Sequence, residues 1–141
     1  MADATRSAGT APFGPAAPVA LAAWHEVVRR RDPSGLDGLL AEEVVFHSPV
    51  VHTPQRGKAV TLEYLRAAIQ VFGNETFRYV RELVGERDAA LEFEVEIDGL
   101  KVNGVDMIRW DESGRIVDFK VWVRPLKALL GIQQKMAALL R

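Results

Sequence analysis

The fold of this chain is decided by residues 91–123, which contain three strand patterns and the two turns between them. The stretch reads LEFEVEI at 91–97, DG at 98–99, LKVNGVDMIRW at 100–110, DESG at 111–114 and RIVDFKVWV at 115–123. In its first part, apolar residues alternate with glutamates, and this period of two predicts a strand with one buried face. Asp98-Gly99 predicts a two-residue hairpin turn, because Asp and Gly tolerate the positive φ that a type I′ turn needs at both positions.

The first turn fixes the register of the hairpin. Pairing Ile97 with Leu100 across the turn places Leu91 opposite Asp106. The same register pairs Val95 with Val102 and Phe93 with Gly104 between these two pairs. We therefore expect the carboxyl group of Asp106 on the apolar face of the sheet.

The second turn places Asp106 on the same face. A four-residue loop at 111–114 pairs Trp110 with Arg115 and Asp106 with Phe119, and only a bulge would change the face that Asp106 occupies. An unpaired charge on a buried face is costly, so a carboxyl group there stays neutral or finds a partner. Asp106 is therefore the candidate acid of a pocket. Alternatively, it is a structural acid whose hydrogen bonds come from backbone amides or from the indole N–H of Trp24.

Composition limits the class of protein. The chain has 141 residues, 48% of them hydrophobic, which is enough for one domain with a substantial core. The 18 basic and 19 acidic residues give a net charge of −1, so no overall field favours nucleic acid or an anionic membrane. Cysteine is absent, which excludes disulfides and thiolate chemistry. No apolar run approaches the roughly 20 residues of a membrane helix, and a cytoplasmic location is expected.

The rest of the chain predicts helices before and after the strands. Residues 1–18, rich in Ala, Gly and Pro, are expected to form a flexible tail. Apolar spacing predicts helices at 19–31, 36–40, 58–72 and 126–140, and strands at 44–48 and 76–84. This order indicates an α+β domain at 19–125, with an antiparallel sheet curved around N-terminal helices, and a C-terminal helix at 126–141 packed on the domain. The arginines at 29–31 are interpreted as cations at a helix C-terminus.

The order of elements and the segment GVDMIRWDESGRIVDFKVWV at 104–123 resemble the nuclear transport factor 2-like superfamily, which includes ketosteroid isomerases and SnoaL-like polyketide cyclases. The resemblance covers about residues 19–125 and implies a cone-shaped, cystatin-like fold with a pocket. The isomerase pattern is the nearest, and it places the hydrogen-bond-donating aspartic acid of those enzymes at Asp106. In the isomerases an apolar site keeps this carboxyl group protonated, so that it donates to a developing oxyanion.

Two departures from the isomerase pattern argue against true ketosteroid isomerase activity. The isomerase base is an aspartate before a Pro-Val pair after the first strand, whereas this chain has Ser48 at that place. Serine without an adjacent base does not take a proton from carbon at neutral pH. The tyrosine that partners the acid should come from the first helix, which has Trp24 and His25 instead. Related epoxide hydrolases need an inward arginine that residues 91–97 lack, so a SnoaL-like cyclase, which needs only an inward acid, is the enzyme that fits best.

These patterns define a set of candidate site residues. Asp106 is the candidate catalytic acid, and His52 could close over the pocket as a further acid or base. The residues expected to line the pocket are Trp24, Phe46, Ser48, Leu65, Ile69, Leu91, Phe93, Val95, Trp110, Phe119 and Val121. No metal or cofactor is expected, because His47 and His52 lack a third ligand.

Two functional hypotheses follow from the sequence. In the first, a small-molecule-binding SnoaL-like protein holds a largely apolar, carbonyl-containing molecule, and Asp106 catalyses proton transfer of the isomerase or cyclase type. In the second, the chain is a non-catalytic ligand-binding or homodimerisation domain in which Asp106 is structural. The outer face of the sheet mixes charged and apolar side chains, among them Met107 and Trp122, and is therefore predicted to form a homodimer.

Overall fold

A computed structural model describes residues 17–140 of the chain, with side chains from Val19 onward. Of the predicted tail, residues 1–16 lie outside the described part. Residues 17 and 18 already belong to the first helix, so this helix begins two residues earlier than predicted.

Residues 17–140 form four α-helices and a six-stranded sheet. In chain order the elements are α1 (Ala17–Arg30), a 3-10 turn (Pro33–Gly35), α2 (Leu36–Leu39), β1 (Leu40–His47), β2 (Gln55–Arg56), α3 (Lys58–Phe72), β3 (Arg78–Val84), β4 (Asp88–Ile97), β5 (Leu100–Trp110), β6 (Ile116–Arg124) and α4 (Leu126–Leu139). The strand order across the sheet is β2-β1-β6-β5-β4-β3. The pair of β1 and β6 is parallel, and the other neighbours are antiparallel. The predicted α+β class, with a curved sheet around N-terminal helices and a C-terminal helix, is confirmed.

Several strand ends differ from the prediction by one to four residues, and in two strands the structure shows the reason. β1 begins at Leu40, which the apolar spacing places in the second helix, because a run of buried apolar residues fits a helix or a strand equally well. β3 begins at Arg78 and not at Thr76. The hydroxyl group of Thr76 instead bonds to Asn74 and to the backbone of Glu96, which holds this residue in the turn before the strand.

The first hairpin has the predicted register. Leu91 pairs with Asp106, Phe93 with Gly104, and Ile97 with Leu100. The turn residues have positive φ, 52° at Asp98 and 79° at Gly99. Gly104 is required at its place because a Cβ there would lie 2.4 Å from Cζ of Phe93. The aromatic ring therefore fills the space above the bare backbone of the neighbouring strand.

The second hairpin does not have the predicted register. Trp110 pairs with Ile116 across a five-residue loop, and a bulge at Val117 shifts the pairing by one more residue. The loop is longer because the carboxylate of Asp111 accepts hydrogen bonds from two backbone amides within it. The extra loop residue and the bulge each reverse the parity, so their effects cancel. Asp106 pairs with Val121 instead of Phe119 and still lies on the inner face.

The helices cover the inner face of the sheet in two groups. α1, α2 and α3 pack on one part of it, around buried residues such as Leu65, Leu91 and Trp110. α4 packs through Ala128, Ile132 and Met136 against a second cluster that includes Val95. The hydrophobic core thus follows the curved inner face of the sheet, and the site lies between its two parts.

Candidate functional site

A cavity of about 240 Å³ lies between the inner face of the sheet and helices α1 and α3. The predicted site residues that line it are Trp24, Leu65, Ile69, Phe93, Asp106, Phe119 and Val121. The wall is aromatic on two sides, because Phe77 stacks on Phe93 at a ring distance of 5.2 Å and Trp24 meets Phe119 edge-on at 4.9 Å. The site is therefore mainly apolar, with one carboxyl group.

Four of the residues expected to line the pocket lie in the packed core instead. Phe46, Leu91 and Trp110 belong to the cluster beneath α1 and α2, and Val95 belongs to the cluster beneath α4. Each is at most 4% exposed. They share the inward direction and the burial of the cavity residues, but they do not belong to the lining of the cavity.

Ser48 and His52 also lie outside the cavity wall. Both follow the end of β1, in the loop that leads to β2. The hydroxyl oxygen of Ser48 accepts a hydrogen bond from the backbone N–H of Val50 at 3.1 Å, and His52 is exposed. Neither residue is brought together with Asp106, since β1 ends at His47 and both residues lie outside the lining of the cavity.

Asp106 takes part in a chain of side-chain hydrogen bonds. The hydroxyl group of Tyr79 donates to Oδ2 of Asp106 at 2.5 Å, and Nε1 of Trp24 donates to the hydroxyl oxygen of Tyr79 at 2.9 Å. The indole N–H of Trp24 therefore reaches Tyr79 and not Asp106, contrary to the structural alternative raised from the sequence. Asp106 itself is only 7% exposed, so one phenol satisfies a buried carboxyl group.

Sequence reasoning missed Tyr79 because of a second bulge. Arg81 pairs with Glu92 on the outer face, and a regular strand would turn Tyr79 to that face as well. The extra residue Val80 reverses the parity, and Tyr79 pairs with Phe93 on the inner face. A signal was present in the sequence. Phe77 and Tyr79 are two residues apart and aromatic, as expected for the inner face of a strand, whereas Arg81, two residues further on, is expected on the outer face. Both expectations hold only if a bulge lies between Tyr79 and Arg81.

The environment shifts the pKa values of both partners. Burial raises the pKa of Asp106 to about 7, and the hydrogen bond from Tyr79 opposes this rise. Burial also raises the pKa of Tyr79 well above its ordinary value, and the neighbouring carboxylate adds to this effect. Near neutral pH, Asp106 therefore passes readily between its neutral and charged forms, while Tyr79 stays a neutral donor. A group with such a pKa can accept a proton and return it.

Polar residues form the opening of the cavity. Arg29, Arg31 and Glu75 line the cavity and are exposed to solvent, so they mark its opening, and Asn74 lies beside them in the wall. Within residues 17–140, no group of three or more His, Cys, Asp or Glu side chains is arranged to hold a metal ion. In the same part of the chain, no helix has the length and apolar character needed to cross a membrane.

Comparison with known proteins shows where this architecture recurs. The model of the SnoaL-like domain matches residues 21–119. A steroid delta-isomerase from Pseudomonas aeruginosa is 40% identical, with a TM-score of 0.86 over 92% of this chain and 94% of that chain. An uncharacterised cystatin-like protein from Silicibacter pomeroyi is 37% identical, with a TM-score of 0.78 over 84% and 83%. SalBIII, an epoxide hydrolase/cyclase-like enzyme of salinomycin formation, shares the fold at 18% identity and a TM-score of 0.62 over 77% and 91%. No curated protein matches the chain.

The raised pKa of Asp106 makes a prediction about stability. Between the ordinary pKa of 3.8 and the folded value of about 7, the folded protein holds a proton that the unfolded chain has lost. Stability from this group is therefore complete below about pH 4 and is lost as the pH rises through 7. Relative to Asp106→Asn, we expect the wild type to lose on the order of 4 kcal/mol of unfolding free energy across this range.

Urea unfolding of both proteins between pH 4 and pH 8 measures this difference. Asp88→Asn removes an exposed aspartate from the neighbouring strand and should follow the wild type at each pH. If the difference between the wild type and Asp106→Asn does not change with pH, the carboxyl group of Asp106 has an ordinary pKa.

Proposed function

Because this chain belongs to the SnoaL-like domain family, as its resemblance to the nuclear transport factor 2-like superfamily predicted, we propose that its cavity binds a small, largely apolar molecule with a carbonyl group. We propose further that Asp106 moves a proton to and from the carbon beside that carbonyl. The observation that carries this proposal is the hydrogen bond between Tyr79 and Asp106 in the wall of an apolar cavity.

The size of the cavity limits the ligand. Pockets for drug-sized molecules measure about 300 to 1,000 Å³, and the volume of about 240 Å³ lies just below this range. A bicyclic ketone of about eleven non-hydrogen atoms is therefore a reasonable size. The aromatic wall favours flat, apolar molecules of this kind.

The reaction needs one group that both takes and returns the proton. The carboxylate form of Asp106 takes the proton from the carbon, the electron pair of the C–H bond moves toward the carbonyl, and an enolate forms. Asp106 is then neutral and accepts a hydrogen bond less strongly, so the hydroxyl group of Tyr79 can turn and donate to the enolate oxygen. Return of the proton to the same or another carbon completes an exchange, an isomerisation or a ring closure.

The relatives support proton transfer as the class of reaction. One structure with 40% identity is described as a steroid delta-isomerase, and a more distant one as an epoxide hydrolase/cyclase-like enzyme. This chain differs from the isomerase pattern at Ser48, whose hydroxyl group bonds to the local backbone outside the cavity. Asp106 therefore has to serve as the base as well as the acid, and its pKa of about 7 suits both roles.

A direct test uses 2-tetralone, a bicyclic ketone, in deuterated buffer. Proton NMR follows the loss of signal from the carbons beside the carbonyl, and this exchange needs no knowledge of the natural substrate. We expect the wild type to accelerate the exchange and Asp106→Asn to lose at least about 100-fold of that rate, because the amide is no base. In Tyr79→Phe the pKa of Asp106 should rise further, since the hydrogen bond that lowers it is gone, so the pH–rate profile should move to higher pH.

Asp88→Asn is the matched control and should exchange 2-tetralone like the wild type. Binding of 2-naphthol, which resembles the enol of 2-tetralone, measures whether the cavity accepts the probe at all. If 2-naphthol binds and Asp106→Asn exchanges as fast as the wild type, Asp106 has no part in proton transfer.

The second candidate function is a non-catalytic binding domain in which Asp106 is structural. The hydrogen bonds from Trp24 to Tyr79 and from Tyr79 to Asp106 support it, because they give each of these three side chains a polar partner without a ligand. Under this function 2-naphthol binds, no exchange occurs, and the main effect of Asp106→Asn is a lower unfolding free energy, most marked at low pH where the carboxyl group is protonated.

We also propose that two copies of the chain pair through the outer face of the sheet. Leu83, Met107 and Trp122 are between 42% and 61% exposed on that face. The strand register makes them one patch. Ala90 lies between Leu83 and Met107, and Val105, two residues before Met107 on the same strand, pairs with Trp122. Charges of both signs surround the patch, including Lys120, Glu92, Glu94, Arg78, Arg81 and Arg124. A surface with both signs is complementary to itself under a two-fold axis, which favours a second copy as the occupant.

Substitution of Trp122 tests this pairing. Trp122→Glu places a charge in the middle of the patch and should convert a dimer into a monomer, as measured by light scattering during gel filtration. Leu130→Glu changes an equally exposed residue on α4 and should leave the dimer intact, since both side chains are 52% exposed. A wild-type protein that is monomeric at high concentration would contradict the proposal.

A further inference from the structure

Arg31 is held at the opening of the cavity by an unusual backbone. It follows directly after α1 and has a φ of 54°, in the left-handed region that residues other than glycine seldom adopt. Its backbone N–H donates to the carbonyl oxygen of Val28 at 3.2 Å, which closes the end of the helix. This conformation directs the side chain away from the axis of α1 and toward the end of α3.

The stem of Arg31 packs beside Gly73, the residue that ends α3. Its Cγ and Cδ atoms lie 3.4 and 3.5 Å from the position that a Cβ on Gly73 would occupy. The two helix ends thus meet through the methylene groups of one arginine, and both residues belong to the wall of the cavity. The stem therefore leads the guanidinium group toward the opening, while the residue as a whole stays exposed to solvent.

The charges around the opening leave this guanidinium group without a partner among the described residues. Glu26 accepts hydrogen bonds from both Arg29 and Arg30, and Asp32 is engaged with the backbone of Ser34. Within residues 17–140, no carboxylate lies within ion-pair distance of Arg31, and its guanidinium group donates no hydrogen bond. An apolar cavity thus opens beside a cation whose charge is not neutralised within the described residues 17–140.

The two ends of the cavity have opposite preferences. The inner wall carries Asp106, beside which a second carboxylate would be repelled, whereas an uncharged oxygen can hydrogen-bond to the Tyr79 and Asp106 pair. The opening carries Arg31, which favours an anion. Glu75 lies at the same opening, and its charge opposes a doubly charged group such as phosphate more strongly than a singly charged carboxylate.

We propose that the ligand of this cavity is an apolar carboxylate that places an uncharged oxygen against Asp106 and its acid group against Arg31. This inference rests on the proposed function of the same cavity and adds the chemical class of its ligand. Arg31 acts as a specificity-determining residue, because it selects the anion and sets the direction in which the molecule enters.

A matched pair of probes tests the inference. 6-Hydroxy-2-naphthoate carries a carboxylate at the far end from its hydroxyl group, and 6-hydroxy-2-naphthamide has the same shape without the charge. By isothermal titration calorimetry we expect the wild type to bind the carboxylate about tenfold more tightly than the amide. In Arg31→Gln this preference should disappear, while the affinity for the amide stays within about twofold, because glutamine keeps the stem beside Gly73.

Arg30→Gln is the matched control. Arg30 is the exposed neighbour of Arg31, does not line the cavity and bonds to Glu26, so its removal should keep the preference for the carboxylate. Unfolding of Arg31→Gln should be measured in parallel, because a cation near two helix C-termini also stabilises the fold. If Arg31→Gln weakens both probes equally, Arg31 is structural and the inference is wrong.

The outcomes separate this inference from the proposed function. If 2-naphthol and the amide bind the wild type as tightly as the carboxylate does, only the preference for an anion is overturned. If none of the three probes binds, the proposed function fails, and the inference fails with it.

Discussion

The hydrogen bond between Tyr79 and Asp106 is the interaction on which the site depends. A carboxyl group on the apolar face of a sheet is expensive to ionise, and in this protein a single phenol satisfies it at 2.5 Å. Burial and this hydrogen bond act in opposite directions on the pKa of Asp106, and burial has the larger effect. The result is an acid that is neutral or charged according to small changes nearby, in a cavity walled by aromatic rings.

Two bulges make this contact possible. The bulge at Val117, together with one extra loop residue, keeps Asp106 on the inner face, and the bulge at Val80 brings Tyr79 to the same face. The inward direction of Asp106 could be predicted because the Asp98-Gly99 turn fixes the register of β4 and β5 without reference to the rest of the chain. Tyr79 could not be found in the same way, because periodicity assumes a regular strand, and one extra residue reverses every side chain on one side of it.

Alternation along the strands also could not separate the cavity from the core. Phe93 and Leu91 point to the same face of the same strand, yet Phe93 borders open space and Leu91 is fully buried. Which of them meets a cavity depends on where the helices pack, and this is decided by tertiary contacts that the sequence pattern does not contain. The opening of the cavity could not be predicted for the same reason. Arg31 and Gly73 come together only because α1 and α3 end beside each other, which is a tertiary contact. The cations at 29–31 were predicted to lie at a helix end, and the structure adds that two of them, Arg29 and Arg31, line a cavity.

The most direct measurement is the pKa of Asp106 itself, from the carbon-13 chemical shift of its carboxyl carbon as a function of pH, with Asp106→Asn used to assign the signal. A buried carboxyl group that shares a hydrogen bond with Tyr79 should titrate at about 7, and it should titrate at a higher pH in Tyr79→Phe. A value near the ordinary 3.8, unchanged by loss of the phenol hydroxyl group, would contradict a role for Asp106 as the group that takes and returns the proton.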